Sequence, residues 1–124
     1  MPDGTPFWSE DPDLSDRVDA AVRERKDAQP PAFSDDDLAM RFTAKHGNDL
    51  LYVAAWGKWM EYDGTRYRFD STLRVFDMAR LTCRAAAAEA DEDAEDIASA
   101  RRIAAVEKLA RADRHHAATV DQFD

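Results

Sequence analysis

The sequence predicts an α+β domain, a small three-stranded antiparallel meander packed against three to four helices. Three observations predict it. Residues 49–70 hold two of the three tryptophans, all three tyrosines and two of the four glycines in β-prone surroundings. The segments on either side carry apolar residues at helical spacing behind Ser34 and Ser71, which read as N-caps. Asp63-Gly64 falls between two alternating runs and is the strongest short hairpin signal in the chain.

Residues 1–11 contain Pro2, Gly4 and Pro6 among acids, a composition too poor in apolar groups to offset its ordering entropy. Residues 12–28 could form a short helix with Leu14, Val18, Ala21, Val22 and Arg25 near one face, ended by Pro30-Pro31. Residues 1–33 therefore read as an acidic, mostly disordered tail, and residues 34–124 as one α+β domain. Ser34 caps a first helix whose opening Asp35, Asp36 and Asp37 suit the helix dipole. It runs through Leu38, Met40, Arg41, Phe42 and Ala44 and is expected to stop at Gly47-Asn48, with glycine left-handed.

The strands are expected at 50–54, 59–62 and 66–69, with a corner at Ala55-Trp56-Gly57-Lys58 and a tight Asp63-Gly64 turn. Alternation sets Trp59 and Glu61 against Met60 and Tyr62, and Tyr67 and Phe69 against Arg66 and Arg68, giving one aromatic and one partly basic face. A hairpin this small is marginal in water, so the flanking helices are the expected cover for the aromatic face.

Ser71 is expected to cap a helix to residue 89 or 90, with Phe76, Ala79, Cys83 and Ala86 or Ala87 as its buried stripe and Leu73 and Leu81 flanking it. A third helix over 94–112 follows an acidic break, with Ile97, Ile103, Val106, Leu109 and Ala110 inward. A final short helix over 114–122 contributes Ala117, Val120 and Phe123.

A chain of 124 residues suits one domain. It has no apolar run of membrane length and no secretory leader pattern, and a single cysteine, Cys83, fits a reducing cytoplasm. The net charge of −9 is uneven: −7 over residues 1–37, +2 over 38–90, −5 over 91–98, +3 over 99–114 and −2 over the last ten. The predicted folded segments are therefore mildly basic, and distribution matters more than the sum.

No catalytic constellation emerges. Gly57-Lys58 lacks the upstream glycine of a phosphate loop. His115-His116 are adjacent, diverge by about 100° on a helix and read as surface residues rather than metal ligands. His46 reads as a helix C-terminal residue, and the acids at 91–96 as a solvated run without the spacing of a calcium loop. No cofactor is expected, and no enzyme activity. A small hydrolase would need a pocket that gathers His46 or His115 with acids.

What remains is a binding surface. Lys58, Arg66 and Arg68, interleaved with Trp56, Trp59 and Tyr67, could pair phosphates and stack bases as single-strand binders do. Ahead of that reading stands the plainer one, in which the tryptophans are core and the cations ordinary strand exteriors. Arg101 and Arg102, with Lys108 and Arg111, form a second candidate patch or a solvated helical face.

Arg41-Phe42, Gly47, Asp49-Leu50, Tyr52-Val53 and Trp56-Gly57-Lys58-Trp59, followed by Tyr62-Asp63-Gly64-Thr65-Arg66-Tyr67, resemble the pre-helicase domain of phage and plasmid primase-helicases of the poxvirus and satellite-phage type. Residues 97–103, 109–113 and 120–124 continue the resemblance, which covers about 38–124. In that family the domain joins an N-terminal primase or nuclease-like region to a ring-forming superfamily-three helicase. The resemblance implies a non-catalytic accessory module of DNA replication. Its expected partners are single-stranded or forked DNA and the helicase ring, with no membrane. A protein-interaction or homo-oligomerisation module that touches no DNA is the alternative, with Phe33 or Phe123 in its apolar patch.

Overall fold

The computed structural model describes residues 28–123. The acidic tail and the helix expected over 12–28 lie outside these residues, apart from Ala28 and the turn that leads into the domain. Ser34 Oγ accepts the Asp37 amide at 3.1 Å and starts helix α1, Asp35–His46. One residue earlier Phe33 is left-handed, φ 62°, and its amide donates to the Asp37 carboxylate at 2.9 Å. The predicted glycine stop is in place, but Gly47 is right-handed, φ −61°. Space rather than handedness favours glycine there, because an added Cβ would meet Thr43 O at 2.8 Å.

The meander follows as β1, Leu50–Val53, β2, Lys58–Tyr62, and β3, Tyr67–Phe69. All pairings within it are antiparallel: Leu50 faces Glu61, Tyr52 faces Trp59, Met60 faces Phe69 and Tyr62 faces Tyr67. The corner between β1 and β2 turns on Gly57 at φ +63°. The second turn is shifted by one residue from the prediction. Gly64 and Thr65 form its tip, and the Asp63 amide donates to Arg66 O at 2.9 Å. Asp63 acts through its side chain, accepting the Thr65 amide, the Thr65 hydroxyl and the Arg66 amide.

Helix α2 spans Arg74–Glu89. Ser71 does not cap it. Asp70 does so from upstream, its carboxylate accepting the amides of Thr72, Arg74 and Val75 at 3.3, 3.0 and 2.8 Å. The buried stripe is Val75, Ala79, Thr82, Cys83 and Ala86, with Phe76 half-buried. Leu73, predicted at its flank, is 75% exposed.

The predicted third helix is broken in two: α3, Ala94–Ile97, and α4, Ala100–Ala110. Ser99 supplies the break, its side chain accepting the Arg102 amide at 3.3 Å and capping α4. Ile97, Ile103, Val106 and Ala110 face the core as predicted, whereas Leu109 is exposed. The predicted last helix does not form. Ala117–Ala118 make a two-residue strand, β4, parallel to β1, and Val120–Phe123 close in a 3-10 turn. The sheet is thus four-stranded and mixed, ordered β3-β2-β1-β4, with the expected meander as its antiparallel part.

One face of the sheet carries Leu50, Tyr52 and Trp59 against the helices. Leu50 and Trp59 join Leu38, Phe42, Val75, Cys83, Ile97 and Val106 in the core. The prediction that the helices cover Tyr67 and Phe69 is corrected here. Register puts those residues on the opposite face with Met60, away from the helical layer.

Candidate nucleic-acid interface

The outer sheet face begins with alternation along β2 and β3. Lys58, Met60 and Tyr62 share a side, and register adds Tyr67 and Phe69 to it. Trp56 stands beside Phe69 with ring centroids 5.6 Å apart, and Tyr62 stands beside Tyr67 at 5.2 Å. Phe123 of the C-terminal turn reaches the same group, 5.8 Å from both Trp56 and Tyr67. Met60 is buried at the base. The rings above it keep open surface: Trp56 is 37% exposed, Tyr62 42% and Phe69 52%. The Lys58 ammonium lies 5.5 Å from the centre of the Phe69 ring. Lys58 therefore joins the aromatic face, while Arg68 lies on the opposite one, as alternation along β3 predicts.

The two candidate tryptophans part company. Trp59 is 6% exposed, enclosed by Phe42, Tyr52 and His116, and offers no face to a base. Trp56 sits in the turn before Gly57, outside strand alternation, and so reaches the outer face.

The cations divide as well. Lys58 and Arg66 are both exposed, and the Lys58 ammonium lies against the aromatic group. Arg68 has the parity of Glu61 and pairs with Asp63 at 2.6 Å. That neighbour adds to a stronger effect at Asp63, where the Arg66 amide, then the Thr65 amide and hydroxyl, hold the carboxyl far below the usual range.

Arg101 and Arg102 do not join this face. Arg101 pairs with Asp96 at 2.8 Å on the helical side. Arg102 is largely buried, donating to Asp35 and to the Phe33 carbonyl and lying 3.5 Å from Asp96. It ties α4 to the start of α1. Arg111 is held in a two-bond pair with Glu107, at 2.6 and 2.9 Å, and lies over the Tyr52 ring at 5.0 Å. The second basic patch is thereby dispersed.

His116 corrects its prediction as a surface residue. It is fully buried, with Nδ1 2.8 Å from Leu50 O and Nε2 3.0 Å from Thr43 Oγ1. Because a carbonyl only accepts, Nδ1 donates, and in the neutral ring Nε2 accepts the Thr43 hydroxyl. His115 is exposed and bonded to Asp113 at 2.9 Å.

Two open depressions do gather histidines with acids. One of about 340 Å³ includes Thr43, Asp113 and His115, and one of about 280 Å³ includes His46, Asp49, Glu61 and Arg74. In the first, the Thr43 hydroxyl is engaged by His116; the second is lined by no serine, threonine or cysteine. Neither pairs a nucleophile with a base. Cys83 is enclosed in the core, where burial raises its thiol pKa.

Among the described residues no group of three or more His, Cys, Asp and Glu side chains could hold a metal ion. Among them, too, no helix is long and apolar enough to cross a membrane.

Tyr62 and Phe69 were not among the candidate DNA-contacting residues of the sequence, and Phe123 was named only for a protein-contact patch. The signal for the first two was present in strand alternation, but only register shows them beside Lys58 and Trp56.

No curated protein and no solved structure matches the chain. The family model described as D5 N terminal like matches residues 39–124, a span that takes in the whole sheet, every helix after the first turn of α1, and the aromatic face. The chain belongs to the D5 N terminal like family, a domain found in poxvirus D5-type primase-helicases and their phage and plasmid relatives.

Proposed function

We propose that this domain is a non-catalytic accessory module of a phage or plasmid type primase-helicase, and that its outer sheet face contacts single-stranded DNA. The observation that carries the reading is the partly open group of Trp56, Tyr62 and Phe69 with Lys58 over it. Unpaired bases offer π faces that a duplex hides, and aromatic platforms flanked by cations suit them. Lys58 on that face and the exposed Arg66 in the turn before β3 are the candidates for phosphate contact, Arg68 being turned to the other side and paired with Asp63, and the family's primase-helicase context supplies the setting.

The test is fluorescence anisotropy of a labelled oligothymidylate against the full chain at several salt concentrations. Trp56→Ala should weaken binding by about 5-fold or more if one base stacks there. Lys58→Ala and Arg66→Ala should each flatten the slope of log affinity against log salt by about 0.7. Absent or salt-insensitive binding by the wild-type chain defeats the reading.

A second reading is a protein-interaction module for the helicase ring or for self-association. Leu73 just ahead of α2, Leu81 on α2 and Leu109 on α4 support it, being exposed apolar side chains. It predicts a sedimentation coefficient that rises with concentration and is lowered by Leu81→Glu. A concentration-independent monomer would count against the self-association form.

A further inference from the structure

We infer that the C-terminal turn Val120–Phe123 is a displaceable cap on the outer sheet face, holding with Phe123 the place that a base takes when single-stranded DNA binds. The inference rests on the platform reading and adds its regulation. Phe123 is half-buried, with its ring 5.8 Å from Trp56 and 5.8 Å from Tyr67, nearly perpendicular to the latter. A ring in that position covers aromatic surface that a base would otherwise use.

The chemistry of the segment points the same way. Val120-Asp121-Gln122-Phe123-Asp124 combines an aromatic ring with flanking acids, the pairing of π face and negative charge that a nucleotide also presents. It does so on a face that carries Lys58.

The anchoring of the turn is slight. The Thr119 amide donates to the Gln122 side-chain oxygen at 2.7 Å, and the Gln122 amide donates to Thr119 O at 3.2 Å. No residue from 119 to 123 is buried. By contrast, His116 just upstream is locked to Leu50 and Thr43, so the turn can lift without disturbing the core. Removing a ligand mimic from its own site raises the fraction of binding-competent protein.

The experiment compares wild type, Phe123→Ala, Gln122→Ala and Trp56→Ala by anisotropy with the same labelled oligothymidylate, with urea unfolding as the check on folding. The cap predicts that Phe123→Ala binds about 5-fold more tightly than wild type, with Gln122→Ala changed in the same direction by less. It also predicts that acrylamide quenches tryptophan fluorescence more strongly in Phe123→Ala.

If wild type binds, Trp56→Ala binds more weakly, and Phe123→Ala is equal to or weaker than wild type, the cap is overturned and the platform stands. If wild type does not bind, the platform reading fails and takes the cap with it.

Discussion

The Nδ1 of His116 lies 2.8 Å from the carbonyl oxygen of Leu50, a residue 66 positions earlier, and the same ring meets the Thr43 hydroxyl at 3.0 Å. One imidazole thus joins α1, β1 and the start of β4, while its ring packs 5.3 Å from Trp59 and 5.6 Å from Phe42. The Tyr52 amide donates to His116 O at 2.6 Å, which continues the link into the backbone of the parallel pair.

Replacing this ring should be costly. His116→Ala leaves the Leu50 carbonyl and the Thr43 hydroxyl without their partner and opens a cavity in the core. A loss of about 2–4 kcal/mol in urea unfolding is expected. His115→Ala, next in sequence but exposed, should stay within about 0.5 kcal/mol.

Arg102 and Arg101 provide a second neighbouring contrast. Arg102→Met should destabilise by about 1–3 kcal/mol, because Asp35 and the Phe33 carbonyl lose a largely buried donor. Arg101→Ala removes only an exposed pair with Asp96 and should cost less than about 1 kcal/mol. Thermal unfolding of both variants checks the order.

Asp70 rather than Ser71 secures the start of α2. Asp70→Ala should cost about 1–2 kcal/mol, and Ser71→Ala should be nearly silent. Equal effects in urea unfolding would contradict the capping geometry.

Asp63 gives a pH dependence of definite sign. Its folded pKa is depressed, first by the Arg66 amide and then by Thr65. The unfolded state therefore binds the proton more readily. The contribution of Asp63 is full above about pH 4, the ordinary aspartate range, and is lost as pH falls from there through the folded pKa. Asp63→Asn keeps an accepting oxygen but removes the titration. The difference in urea midpoint between wild type and Asp63→Asn should be largest near neutrality and shrink toward strong acid.

Much of this fold could be read from local chemistry. Ser34, the acids after it and the alternation from Lys58 to Phe69 each act within a few residues, so the first helix and the meander are found where expected. What escaped depends on distant partners. Ala117-Ala118 have little strand preference of their own and pair with Tyr52 and Val53 only because His116 is held inside. Trp56 and Trp59 stand three residues apart in similar company. Their opposite fates follow from the turn at Gly57, which breaks the strand alternation between them. Arg101 and Arg102 likewise differ by a single position, and only the packing of α4 against the start of α1 sends one inward.

The sheet also works as a partition. The chain comes in past Phe33, which packs against the helical core, and goes out past Phe123 on the aromatic side. A fluorophore attached beside Phe33 would sit on the helical side of the sheet, away from the platform. The same addition beside Phe123 would crowd the aromatic surface, so where a label is attached bears directly on what a binding assay can see.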